Sequence, residues 1–464
     1  MKTVSLLALT TTILSIALNI YIYTYPSLNA GSCHWPQEYR QSQSFISKIP
    51  YFGDLYNTYL VPEIIDKEKP DDIRIMAVGD PQVNGNWPST PYIKRLDNYG
   101  NDLYLNHIYK LMKGRLQPNH VAIMGDLLSS QWLGDSEFYN RTRRIIERIY
   151  TRPEVQNLKE IDWINSHQDV NWWQDHNTFK QRLDNGTFDD IEFYANYDIY
   201  DWNANKTFSL KGEEPLFLNV TGNHDIGYGD MTYQHLSRWW KLFGKDNYFI
   251  EYDNDTNHPW RIVMLNSLTL DGPMLQPEFM EYSWKFLNVL QGHPYNGSTI
   301  LLTHIPMHKS AGFCVDGPKV EYYEESGCHG CSPDRVGLLK STNFLSPETT
   351  QRVLSAVFGK NPNKNGIILT GHDHEGCQTW HHWDEKNSEW IANNKAGKVR
   401  EITVRSTMGE YDGTIGIMGG TWQEDQNSWK FEYNECRFAV QHVWWATQII
   451  TIISGLLISL SFVL

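Results

Sequence analysis

Two uncharged apolar runs bracket the chain. From Val4 to Tyr23 the sequence is dominated by Leu, Ile, Ala, Thr and Tyr, and no Asp, Glu, Lys or Arg appears between Lys2 and Glu38. About 20 such residues, each rising about 1.5 Å, cross a hydrocarbon core, whereas the apolar region of a cleaved signal peptide is about 7–15 residues. The pattern therefore predicts an uncleaved membrane-spanning helix over residues 4–24. At the other end no charged residue follows Arg437, Trp444 and Trp445 sit where an interfacial belt would lie, and no polar face interrupts the run. A second span is predicted over residues 442–464.

Between the spans, short β-rich runs alternate with helical or loop stretches, which signals α/β construction. Ile73–Val78, Val121–Met124, Leu216–Val220, Ile300–Leu302 and Ile367–Leu369 read as buried strands, and Tyr248–Tyr252, Arg261–Leu265 and Glu401–Val404 as further ones. Helical periodicity is expected over 101–115, 136–150 and 277–290. Residues 31–70 read as a juxtamembrane linker and 71–436 as the folded domain. Residues 152–214, rich in Asp, Asn and Trp without sustained periodicity, are expected to be an insertion or lid.

Composition narrows the class. The 464 residues carry 54 acidic against 40 Lys and Arg side chains, a formal net charge of −14. Nothing supplies the clustered positive field that nucleic acid requires. Apolar residues at 41% and aromatics at 13% exclude disorder. A mean hydropathy of −0.49 excludes a polytopic membrane protein but not two spans.

Orientation rests on chemistry. Lys2 favours a cytoplasmic N-terminus. Asn-X-Ser/Thr sequons stand at Asn140, Asn185, Asn205, Asn219, Asn254 and Asn296, all between the spans, which suits a lumenal domain. Asn219 abuts a polar motif and is expected to be buried and unglycosylated. All 6 Cys also lie between the spans, which suits an oxidising compartment. Their connectivity is open. Candidate pairs are Cys33 with Cys436, both just outside the spans, and Cys314 with Cys377, on two loops that follow polar motifs. Cys328 and Cys331 could form a local disulfide or a redox pair.

Each of the five buried strands runs into a polar motif. These are Asp80-Pro-Gln82, Gly125-Asp126, Gly222-Asn-His-Asp225, Thr303-His304 and Gly371-His-Asp-His374. Singly, a Gly-Asp after a strand is most often a capped turn. Together the five deliver carboxylate, amide and imidazole donors to one sheet edge, where α/β proteins bind ligands. That donor mix suits Mn²⁺, Fe or Zn²⁺. Two such cations about 3.5–4 Å apart bind phosphoryl oxygens and acidify water.

The order of these motifs resembles the calcineurin-like metallophosphoesterase superfamily. Within it, the similarity is greatest to the endoplasmic-reticulum enzymes that trim ethanolamine phosphate from glycosylphosphatidylinositol (GPI) anchors. These are the fungal phosphodiesterases acting on the second mannose and the related mammalian post-GPI-attachment enzymes. Asn19-Ile-Tyr-Ile-Tyr-Thr-Tyr-Pro26, Ser129-Ser-Gln-Trp-Leu-Gly-Asp135, Phe243-Gly-Lys-Asp-Asn-Tyr248, Gly371-His-Asp-His-Glu-Gly-Cys377 and Gln441-His-Val-Trp-Trp445 carry that closer likeness across nearly the whole chain.

The resemblance implies a metallophosphoesterase β-sandwich flanked by helices, with one transmembrane helix at each end. It implies two metal ions bridged by Asp126. Asp80 and His374 would complete the first site with Gln82 beside it, and Asn223, His304 and His372 the second. Many relatives in the superfamily have His where Gln82 stands, and an amide oxygen tilts that site toward Mn²⁺. His224 is expected to protonate the leaving oxygen or stabilise developing charge, with Asp225 orienting its imidazole. Asp373 is expected to point away as support, and His308 has no assigned role. Trp132, Glu375 and Glu410 are candidates for holding a substrate ammonium.

The implied function is removal of ethanolamine phosphate from the second mannose of GPI-anchored proteins in the lumen of the endoplasmic reticulum, licensing their export. Both termini would be cytoplasmic, and cargo export receptors would be further partners. The alternatives are a non-catalytic membrane adaptor that keeps a structural metal site, or a phosphatase of different substrate.

Overall fold

The computed structural model describes residues 2–28, 33–35, 45–46, 49, 70–87, 89–151, 172–188, 190–194, 215–324, 333–361, 365–395, 397–411, 413–438 and 441–463. Most of the expected linker at 31–70, much of 152–214, and Asn205, Cys328 and Cys331 lie outside the described residues.

The strands build two sheets. In the first, β1 (Ile73–Val78), β2 (His120–Ile123) and β3 (Leu216–Asn219) run parallel. The hairpin of β13 (Thr414–Gln423) and β14 (Ser428–Arg437) extends it antiparallel from β1. The second sheet has the order β11-β10-β12-β9-β6-β5-β4. Its strands are β4 (Tyr248–Tyr252), β5 (Trp260–Met264), β6 (Ser298–Leu302), β9 (Gly366–Thr370), β10 (Cys377–Asp384), β11 (Glu389–Asn393) and β12 (Val399–Thr403). A separate ribbon pairs β7 (Val320–Tyr322) with β8 (Leu339–Thr342).

Strand periodicity explains the layering. Side chains alternate faces along a strand, so Ile73, Ile75 and Ala77 of β1 share one apolar layer with Ile262, Ile300 and Ile367 of the other sheet. The intervening Met76 and Val78 join a second core with the helices. The two sheets thus pack face to face with helices outside, a mixed α/β arrangement. Being covered on both sides, β1, β2, β3, β6 and β9 read as continuous apolar runs rather than alternating ones.

The helices are α1 (Lys2–Leu28), α2 (Tyr92–Leu116), α3 (Asp135–Arg144), α4 (Trp172–Asp184), α5 (Asn223–Ile226), α6 (Tyr233–Phe243), α7 (Pro277–Gly292), α8 (Pro347–Phe358) and α9 (Gln441–Val463). The start of α8 is written in its sequence. Pro347 pre-sets the first turn, and the Ser346 side chain accepts from Thr349 N. The stretch expected as one helix over 136–150 is α3 followed by a π turn at Ile145–Ile149. The described part of the 152–214 segment includes helix α4 and a 3₁₀ turn at Asp190–Phe193, and Phe179 of α4 meets Trp240, Phe279 and Tyr282 in the outer helical layer.

The stretches Thr3–Tyr25 and Gln441–Val463 of α1 and α9 are long and apolar enough to cross a membrane. The two helices pack along each other through polar contacts. Thr12 Oγ1 lies 2.8 Å from Ser454 Oγ, and Ser15 Oγ lies 2.8 Å from Thr451 Oγ1. Asn19 Nδ2 donates to Thr451 Oγ1 at 3.0 Å. Small hydroxyl residues let such helices approach and pay about 0.6 kcal/mol per hydrogen bond in a bilayer. Just beyond the apolar stretches, a disulfide joins Cys33 to Cys436.

Candidate metal centre

Strand register gathers the motifs. Val78 pairs with Ile123 and Ile123 with Asn219, so the three parallel strands of the first sheet end level. Their following loops carry Asp80, Asp126 and Asn223. In the second sheet Leu302 pairs with Leu369, which sets His304 beside His372 and His374. The chain turns sharply at this edge. Asp80, Gln82, Asp126 and His372 take φ of 36°, 41°, 49° and 77°, a left-handed region that non-glycine residues enter at a cost. The loops also approach too closely for side chains. A Cβ on Gly222 would lie 2.0 Å from Asp126 N, and one on Gly371 2.4 Å from Met124 O.

One donor group consists of Asp80, Asp126 and His374, whose ligand atoms all lie within 4.8 Å of one another. Burial, and then the neighbouring Asp126, push the Asp80 carboxyl well above its usual range. Two buried carboxylates this close are stabilised by a proton or a cation between them, and with His374 they form a donor set that could hold a metal ion. Gln82 lies beside them, its Nε2 3.3 Å from Asp126 Oδ2 and 3.2 Å from His374 Nε2. A half-turn of that amide presents its oxygen to the same point.

The second group is Asn223, His304 and His372, and its protonation is dictated by backbone carbonyls. His304 Nδ1 donates to Met124 O at 2.7 Å, and His372 Nε2 donates to Thr342 O at 2.9 Å. Burial lowers both imidazoles, His372 to about 3, so each is neutral near pH 7. The remaining nitrogens, His304 Nε2 and His372 Nδ1, therefore present lone pairs, each 3.0 Å from Asn223 Oδ1. A divalent cation set among these three acceptors would satisfy all of them at once. A backbone carbonyl holding the far ring nitrogen is how metal-ligating histidines are commonly oriented.

Asp126 stands between the groups. Its Oδ1 is 3.5 Å from His304 Nε2, while Oδ2 faces Gln82. All seven residues expected as ligands thus converge, and their donor chemistry fits a pair of divalent cations.

The neighbouring residues depart from expectation in part. His224 overhangs the centre, half-exposed, with Nε2 3.8 Å from Asp126 Oδ2. Its imidazole is oriented by Ser129 O, 3.1 Å from Nδ1, and not by Asp225. The fully buried Asp225 carboxylate instead accepts from Leu128 N and Gly222 N, both at 2.9 Å, and so holds the loops around Asp126. The Trp132 ring carries the Arg335 guanidinium at 4.2 Å and is otherwise 45% exposed. Glu375 pairs with Arg405 at 3.1 Å. Glu410 is close enough to bias His374 electrostatically. Asp373 is buried, with Oδ1 accepting from Glu375 N, as befits a supporting residue. His308 donates its backbone N–H to Thr350.

Sequence reasoning did not find Tyr228, whose hydroxyl lies 3.5 Å from His372 Nε2, or Tyr411, whose ring meets His374 at 4.8 Å. Neither carries a motif of its own. A second disulfide joins Cys314 to Cys377. Asn140, Asn185, Asn254 and Asn296 are exposed, and Asn219 is buried in β3.

No family model matches the chain. It is 45% identical over 457 residues to Protein TED1 of Saccharomyces cerevisiae, an alignment covering 94% of each chain. An uncharacterized protein of Schizosaccharomyces pombe is 28% identical over 77% of this chain and 72% of its own. Cell division control protein 1 of Saccharomyces cerevisiae is 24% identical over 55% of this chain and 48% of its own.

Proposed function

The chain belongs to the family of Protein TED1 of Saccharomyces cerevisiae, and from that premise and the converging donors we propose that it is a dinuclear metal-dependent phosphodiesterase of the calcineurin-like metallophosphoesterase superfamily. Asp80, Asp126 and His374, with Gln82, would hold one cation, and Asn223, His304 and His372, sharing Asp126, the other. A bound Mn²⁺ pair would polarise the phosphoryl oxygens and acidify water. The observation that carries the reading is the pair of neutral histidines whose lone pairs face Asn223 Oδ1.

The residues around the centre support a direct displacement at phosphorus without a covalent enzyme intermediate. With Nδ1 committed to Ser129 O, His224 has only Nε2 free to carry a proton toward a departing oxygen. Asp225 keeps the loop in place. The substrate would be the ethanolamine phosphate on the second mannose of GPI-anchored proteins. Its ammonium would meet Glu410, which acts on His374 electrostatically, or Glu375, which follows His374 in the chain. The catalytic domain would lie in the lumen of the endoplasmic reticulum, with GPI-anchored cargo as substrate and export receptors as partners.

Mass spectrometry of GPI glycans from cells with and without the chain tests the substrate. Loss of the chain should leave ethanolamine phosphate on the second mannose, and Asp126→Asn or His224→Ala should fail to restore trimming. Unchanged glycans would refute the substrate. Full restoration by both variants would refute the site.

A further inference from the structure

Helix α2 carries an apolar stripe that faces away from the core. Tyr92, Ile93, Leu96, Tyr99 and Leu103 are exposed, Ile93 by 81% and Tyr92 by 74%. At 100° per residue all five fall within about a third of the helix circumference. The buried residues Asn98, Asp102, Leu105, Tyr109 and Met112 occupy the opposite side. The Arg148 guanidinium lies over the Tyr99 ring at 5.0 Å, and Tyr92, Ile93, Leu96 and Leu103 stay exposed beside it. Sequence periodicity read from core positions starts this helix at residue 101, because the preceding two turns bury so little of their apolar surface.

What lies beside the stripe identifies its partner. The same face of α2 runs into both apolar terminal helices. His107 meets Tyr23 of α1 at 4.8 Å between rings. Gly100 abuts the Trp445 ring of α9, and Tyr104 meets Trp444 at 5.8 Å. Asn101 accepts from Gln441 in the first turn of α9. Tyr23, Trp444 and Trp445 stand near the ends of the apolar stretches, where aromatic side chains mark the boundary between hydrocarbon and water. The stripe is therefore continuous with that boundary.

The sheet edge bearing the donor groups lies on the same side. Thr414 pairs with Arg437, which leads into α9, and β13 runs antiparallel to β1 with Gly416 opposite Ala77. The C-terminal end of β1, and hence Asp80, points toward the end of β14 from which α9 departs. Asn98 of α2 donates to Gly85 O at 2.8 Å and so ties the chain just after Gln82 to this helix.

We propose that the N-terminal half of α2 is an interfacial membrane helix that lies in the phospholipid headgroup layer beside α1 and α9 and holds the donor-bearing sheet edge against the bilayer. An amphipathic helix with an apolar face of this kind sits in the plane of the interface. The contacts of α2 with the ends of α1 and α9 hold the domain at the spans, and a further contact displaced along α2 would fix its tilt against the bilayer. The site then addresses substrates tethered to lipid in the same membrane. The inference rests on α1 and α9 crossing a bilayer and is independent of the phosphodiesterase chemistry.

The test places p-benzoyl-phenylalanine at position 93, 96 or 103 of the full chain reconstituted in phosphatidylcholine nanodiscs. Ile452, exposed on α9, serves as a lipid-facing reference. Gln426, in the hairpin turn at the far end of β13 and β14, serves as a water-facing one. After irradiation, lipid adducts are measured by mass spectrometry. Adduct at positions 93, 96 and 103 approaching that at 452, and several-fold above that at 426, is the expected result. Adduct at all three no greater than at 426, or crosslinks that fall within the chain instead, would overturn the inference. Absence of adduct at 452 as well would overturn it together with the membrane reading.

Discussion

Glu401 lies on β12 at 1% exposure and anchors the loop that follows His304. Its Oε1 accepts from Met307 N and from Lys309 Nζ, both at 2.9 Å. Its Oε2 accepts from His381 Nε2 at 2.6 Å and from Thr379 Oγ1 at 3.2 Å. Burial alone would raise this carboxyl, but Lys309 and His381 outweigh it and hold the group down to about 2. Replacing Glu401 with Gln keeps the shape and strands the Lys309 ammonium, itself 1% exposed, without its directly paired carboxylate. Breaking a buried pair from one side costs about 3–5 kcal/mol, whereas replacing both partners costs far less. Glu401→Gln should therefore lose about 3–5 kcal/mol in a denaturant titration of the detergent-solubilised chain followed by tryptophan emission. Adding Lys309→Met should recover much of it. Because the folded carboxyl is depressed, its contribution is complete above the unfolded pKa of about 4.3 and vanishes as pH falls toward about 2. The Gln variant should lack that acid-dependent part. A single-variant loss below about 1 kcal/mol, the worth of an exposed pair, would refute the reasoning. So would a double variant no more stable than the single one.

Three further outcomes are expected. Burial pushes His120 down to about 3, so below pH 6.5 the unfolded chain takes up a proton that the folded chain refuses. Stability should fall by about 1.4 kcal/mol per pH unit, about 2 kcal/mol by pH 5, and His120→Gln should flatten a melting profile by that amount. Gly222→Ala forces its new methyl against Asp126 N at 2.0 Å, and should cost about 1–3 kcal/mol and weaken metal affinity about 10–100-fold in a chelator titration. If the domain is lumenal, glycopeptide mapping should find glycans at Asn140, Asn185, Asn254 and Asn296 and none at the buried Asn219; bare asparagines at all five would contradict the orientation.

The donors were legible because each ends an unmistakable strand. A continuous apolar run such as Ile300–Leu302 fixes a buried parallel strand, and His304 at its C-terminal end then has nowhere to go but the sheet edge. Both terminal helices were legible for a similar reason, since twenty uncharged residues admit few readings. Other features depend on tertiary context. Asp225 follows His224 directly, yet its carboxylate turns to Leu128 N and Gly222 N, because the loop amides beside it are buried and need acceptors. That Trp132 already has a cation beside its ring could not be read either, since Arg335 lies two hundred residues on. The β13–β14 hairpin escaped notice because Gly416, Gly419 and Gly420 dilute the strand pattern. Helix α2 was shortened at its start because its first turns direct apolar side chains outward.

The most direct test of the central claim is the metal content of the purified full chain after saturation with Mn²⁺ and removal of free ion, read by elemental analysis together with the electron paramagnetic resonance of the bound metal. The converging donors predict two exchange-coupled ions per chain, and loss of the coupled signal in Asp126→Asn, where the shared carboxylate is gone. One ion or fewer in the unaltered chain, or a coupled pair that survives Asp126→Asn, would contradict it.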